Sequence, residues 1–170
     1  MTKHSLAFLF LILLSITTLS QGTEQNTLFK KKSKFAIIRR GSEVQSIFPK
    51  DYKISTLNNS EYKIIQNLLI RIIDSFNIEG EKSMKERIRP YIKIDRNAFI
   101  IDTSRYRFQL IAVRNKKMQK IVWVNAFCNN PQINWRKSIL IVEDGGICYF
   151  NLKINLSKRK VLTFSINGNA

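Results

Sequence analysis

The residues able to carry nucleophilic, metal-binding or acid–base chemistry are few in this chain. Among its 170 residues are one histidine, two cysteines and twelve carboxylates. His4 stands at the head of an apolar run, so a chain cut after that run keeps no imidazole. That removes the Ser–His and Cys–His nucleophile pairs together with the commonest metal ligand. Two cysteines without histidine are a poor zinc set, so no metal and no cofactor are expected. Neither Gly-x-Gly-x-x-Gly nor Gly-x-x-x-x-Gly-Lys-Ser/Thr occurs, and phosphate-cradling loops are therefore not signalled. Glu143 and Asp144 are the one adjacent carboxylate pair. Lying ahead of Gly145-Gly146, they read as turn formers, and a carboxylate-dependent hydrolase built on them is the weakest functional reading.

Cys128 and Cys148 raise a geometric question. An even cysteine count in an exported protein invites a disulfide. A strand is expected over residues 138–143, however, so Cys128 ends one strand and Cys148 begins the next but one. Two strand spacings are about 10 Å, beyond the roughly 7 Å between Cα atoms that a disulfide spans. Both cysteines are thus expected to be unpaired and to behave as small buried hydrophobes.

Charge is the strongest remaining signal. The formal charge is +17, or +16 once Lys3 leaves with the apolar run. Such a chain is drawn to polyanions and anionic surfaces. Basic and aromatic residues interleave around Trp135, Arg136 and Lys137, and again at Arg105 and Arg107. That combination suits nucleic acid or glycan, and these five residues form the candidate binding set. The plainer account is compositional, with lysine, isoleucine and asparagine abundant throughout. Trp123 and Phe127 share a strand face and are expected to form core with the helix.

The elements that must position these groups follow from periodicity. Residues 1–20 combine Lys3, an apolar run over 6–16 and the small-residue exit Thr17-Thr18-Leu19-Ser20, the parts of a secretory signal peptide. Eleven apolar residues are too few to span about 30 Å of hydrocarbon. Residues 21–34 are a flexible basic leader, and 35–170 form a single domain. Phe35-Ala36-Ile37-Ile38 reads as a short or edge strand between basic flanks. Over 60–77, Ile65, Leu68, Leu69, Ile72, Ile73 and Phe76 recur at helical spacing. Asn58 and Glu61 form a capping-box pattern ahead of them, and Gly80 stands where a terminator belongs. Residues 81–89 add one or two helical turns at most, and 91–94 alternate like a strand. Strands follow over 105–114, 120–128, 138–143, 147–155 and 160–167, joined by short turns. The fold class is α+β: one long amphipathic helix packed on a four- to five-stranded antiparallel meander.

The segments Val122-Trp123-Val124-Asn125-Ala126-Phe127-Cys128, Trp135-Arg136-Lys137, Glu143-Asp144-Gly145-Gly146-Ile147-Cys148-Tyr149-Phe150-Asn151-Leu152-Lys153-Ile154-Asn155-Leu156 and Asn167-Gly168-Asn169-Ala170 together resemble a group of small exported bacterial proteins with no assigned activity. The resemblance spans residues 106–170. In that group a second cysteine often stands where this chain has Ala126, which weakens any redox or metal reading. The helix-then-meander order is also similar to the cystatin and NTF2-like architectures, although the Gln-x-Val-x-Gly hairpin of inhibitory cystatins is missing. An architecture does not imply a function.

The resulting expectation is an exported, non-enzymatic binding domain, periplasmic or secreted. Its partner would be acidic: a polyanion, an envelope glycan or lipopolysaccharide. The alternative is a protein-binding or inhibitor module that uses the meander loops.

Overall fold

A computed structural model describes residues 33–88 and 94–168. The apolar N-terminal run, most of the basic leader and most of the strand-like stretch 91–94 lie outside the described residues.

The chain is an α+β domain. Strands β1 (Phe35–Ile37), β2 (Lys53–Ile54), β3 (Arg107–Arg114), β4 (Lys120–Phe127), β5 (Tyr149–Asn155) and β6 (Lys160–Ile166) accompany helices α1 (Gly41–Ile47) and α2 (Asn59–Arg87). Strands β3 to β6 form the antiparallel meander, with order β1-β3-β4-β5-β6. The additions come from the N-terminal segment. β1 runs parallel to β3, Phe35 against Phe108, while β2 pairs antiparallel with the far end of β3.

Helix α2 begins with the expected capping box: the Asn58 side chain accepts from Glu61 N–H at 2.9 Å, and Glu61 accepts from Asn58 N–H at 2.9 Å. Its buried stripe, Ile65, Leu69 and Ile73, lies on Phe108, Leu110, Ala112, Val122, Val124, Ala126, Phe150, Leu152 and Ile154. The helix does not end before Gly80 but runs through it to Arg87. A Cβ at Gly80 would lie 2.2 Å from the Phe99 carbonyl oxygen, so this glycine serves close approach to segment 94–101 and does not terminate the helix. Asn77 fixes the same segment, donating to Ile101 C=O (3.0 Å) and accepting from Ile101 N–H (2.7 Å).

The opposite face of the sheet holds a second core. Val44 and Phe48 from α1 and its end join Ala36, Ile38, Ile111, Val113, Ile121, Trp123 and Ile139 there. Trp123 and Phe127 were expected against the long helix. Their strand positions alternate with Val122, Val124 and Ala126, which places them on the face turned away from α2. With both faces covered, every residue of β4 is buried.

Residues 138–143 do not form a strand. They belong to the long connection from β4 to β5, which crosses the second face and is tied to the sheet by side-chain hydrogen bonds. Gln109 donates to the Trp135 and Ser138 carbonyls (2.5 and 2.7 Å) and accepts from Leu140 N–H (2.9 Å). Asn125 donates to Leu140 C=O at 2.7 Å, and Glu43 accepts from Ile139 N–H at 2.9 Å. Because no strand intervenes, β5 is the direct neighbour of β4, and Phe127 pairs with Tyr149.

That pairing overturns the expectation of free thiols. Cys128 and Cys148 flank the Phe127–Tyr149 pair on adjacent strands, their Cα atoms are 5.1 Å apart, and they form a disulfide. Cys128 N–H also donates to Cys148 C=O at 3.0 Å. Gly145, at φ +96°, supports the turn that delivers Cys148.

Candidate functional site

Polar and charged side chains line several surface depressions among the described residues. One, about 570 Å³, is a groove lined by Ile37, Ile38, Arg39, Arg40, Arg136 and Lys137. One wall is the exit of β1: Ile38 N–H donates to Leu110 C=O at 2.9 Å, and the chain then turns at Arg39 and Arg40 into α1. The other wall is the 134–138 turn, closed by Lys137 and Ser138 N–H donating to Asn134 C=O (2.9 and 3.0 Å). Gln109, itself fully buried, holds that turn through two of its carbonyls. The groove thus owes its second wall to a polar residue inside the sheet. Among the described residues, four cations and two isoleucines line it, with no carboxylate.

Of the five residues anticipated for binding, the structure brings Arg136 and Lys137 together and adds Arg39 and Arg40 from the basic flank of the edge strand. Trp135 is a support for them: it packs edge-on against Phe127 at 5.5 Å and carries the Arg136 guanidinium 4.4 Å above its ring. Arg136 also donates to Phe35 C=O at 3.3 Å, tying the turn to the edge strand. Arg107 is held elsewhere, donating to Asn129 C=O at 3.2 Å. Arg105 belongs to a different hollow altogether. The run of Arg39 and Arg40 beside an apolar strand was the signal for the first wall, but nothing in the spacing links residue 40 to residue 136.

The hollow that Arg105 lines, about 230 Å³, also includes Asp102, Tyr106, Asn129 and the disulfide. Tyr106 donates its hydroxyl to Ile147 C=O at 2.6 Å, and burial pushes its phenol up to about 12. Asp102 is held below the ordinary carboxyl range by the Ser104 hydroxyl and backbone N–H. Both are structural ties. Another depression, about 460 Å³, is a trough on the outer face of β5 and β6 with Asn151, Lys153, Thr163 and Ser165 on its floor.

Glu143 and Asp144 are exposed and line none of these depressions. Among the described residues, no three His, Cys, Asp or Glu side chains gather as a metal site. No described helix is long and apolar enough to cross a membrane. No family model matches the chain, and neither a curated protein nor a solved structure matches it.

Proposed function

We propose that this protein is an exported, non-enzymatic binding domain whose groove takes an acidic macromolecule such as a sulfated or phosphorylated envelope glycan. One observation carries the reading: Arg39, Arg40, Arg136 and Lys137, from segments nearly a hundred residues apart, line one groove without a carboxylate among them. Guanidinium groups are the side chains best suited to bidentate contact with planar or tetrahedral anions. The isoleucine floor accommodates the apolar faces between such groups. Export rests on the N-terminal run and on the resemblance of residues 106–170 to small exported bacterial proteins.

The test is titration of a sulfated glycan against the wild type, R39Q/R40Q and a control, K82Q/K85Q, that removes the same charge from the exposed side of α2. In wild type the affinity falls log-linearly with salt. In R39Q/R40Q the slope of that line is shallower by about two, one per lost contact. Equal losses in the groove and control variants would show general charge at work and would remove the groove from the account.

A further inference from the structure

The meander topology places the β3–β4 and β5–β6 turns at one end of the sheet, and β2 joins them by pairing with the end of β3. Leu156 N–H donates to Lys120 C=O (2.9 Å) and Lys120 N–H to Ser157 Oγ (3.0 Å), so the two turns are stitched side by side. This end carries Lys53, Arg114, Lys116, Lys117, Lys158, Arg159 and Lys160. Among the described residues, the carboxylates beside them are already engaged: Asp51 by Lys116 at 3.4 Å, Glu61 by the part-buried Lys120 at 2.5 Å.

Among these cations stands Met118, in the β3–β4 turn. It is 65 % exposed, and its φ is +58°. The left-handed region costs any residue with a Cβ and is normally filled by glycine or asparagine. The left-handed φ closes the turn, where Met118 N–H donates to Asn115 C=O at 2.9 Å, and Arg159 has the same conformation in the neighbouring turn, but the exposed thioether itself gains nothing from the fold. Ile54, 44 % exposed on neighbouring β2, adds a second uncovered apolar side chain at this end.

We infer that this end of the sheet docks on an anionic lipid bilayer, with Met118 entering the headgroup boundary and the surrounding lysines and arginines meeting lipid phosphates. Each cation near an anionic surface strengthens adsorption, and a short apolar side chain adds affinity that salt does not screen. A nucleic acid fits this end less well, because neither turn, 115–119 or 156–159, contains an aromatic residue on which a base could stack. The inference is independent of the groove, which uses other residues.

The experiment is co-sedimentation of the mature chain with phosphatidylcholine vesicles, with and without one part in four of phosphatidylglycerol, at about 0.1 M and about 0.5 M salt. Wild type partitions to the anionic vesicles only. K117E/K158E weakens that partitioning at least tenfold at low salt, as expected for two reversed charges at an anionic surface. M118N, which relieves the backbone, melts no lower than wild type yet binds several-fold more weakly at the higher salt. R39E/R40E, with the same charge change, weakens vesicle binding less than K117E/K158E does. Unchanged affinity in M118N, equal losses in the two charge-reversal pairs, or tip-dependent binding to an oligonucleotide with none to vesicles would each overturn the proposal.

Discussion

Glu61 has two roles: it closes the capping box of α2, and it accepts from Lys120 at 2.5 Å, compensating an ammonium that is largely enclosed. Burial alone would raise its carboxyl, but the Lys120 ammonium and the Asn58 N–H hold it below the ordinary value. A depressed folded-state pKa contributes stability above the unfolded value, and that contribution is lost as pH falls through the folded one. Glu61→Gln keeps a side-chain acceptor for the cap and removes the charge. It should cost about 1–3 kcal/mol at pH 7 and flatten the acid limb of a stability–pH curve measured by urea melts. An unchanged acid limb would mean that the pair is solvated. Gln109 is the second informative residue, since its one amide serves three backbone groups of the crossing segment. Gln109→Leu leaves those groups unpaired in a closed space, at about 2–4 kcal/mol. Because the same amide positions Arg136 and Lys137, glycan affinity should fall in this variant even at temperatures where it is fully folded. Retained affinity would separate the turn from the groove. Gln109 also shows where sequence reading stops: an alternating pattern puts a polar residue on a face without revealing whether that face meets water or a loop.

Among the elements, the long helix and β3 to β6 were legible because their periods differ cleanly, Ile65-Leu69-Ile73 against Phe108-Leu110-Ala112. The length of α2 was misjudged because Gly80 has two meanings, helix terminator or close contact, and only the Phe99 carbonyl decides between them. Gly80→Ala should therefore destabilise the protein, despite alanine's better helix propensity, by about 1–3 kcal/mol as the helix is forced off the 94–101 segment. A stabilised variant would show that the contact yields. Helix α1 is too short for its period to stand out, although Val44, Ile47 and Phe48 carry the three- and four-residue spacing of a short buried turn. In β6, simple alternation would put Leu162, Phe164 and Ile166 on one face. The bulge opposite Lys153 and Ile154 instead brings Val161 opposite Ile154 and leaves Leu162 48 % exposed. The unseen disulfide had the same source as the false strand over 138–143: one supposed element displaced β5 from β4. Closing a loop with a sequence separation of 20 stabilises by about 3 kcal/mol. C128S/C148S should lose about that much in urea melts, and the oxidised wild type should show no reactive thiol when denatured. Two titratable thiols would refute the bridge.

At the scale of the molecule, charge is segregated along the chain in a way that a net value conceals. Residues 103–170 contain twelve lysines and arginines but only Glu143 and Asp144 as acids. Five of the twelve carboxylates lie on α2. The meander therefore folds against its own repulsion, which destabilises a compact state and is relieved by screening. Two effects of anions can then be told apart by thermal melts. Screening raises Tm gradually with ionic strength, alike for chloride and for a sulfated polymer at the same ionic strength. Occupation of a groove raises it with a saturating dependence at low ligand concentration, because a ligand at a hundred times its Kd adds about 2.7 kcal/mol. For a domain of this size that is a shift of roughly 5–10 °C. The groove reading requires the saturating component, and requires it to disappear in R39Q/R40Q while the gradual rise persists. A purely gradual response in both proteins would mean that the four groove cations act only as part of the general field, and that the recognition site of this fold lies on another surface.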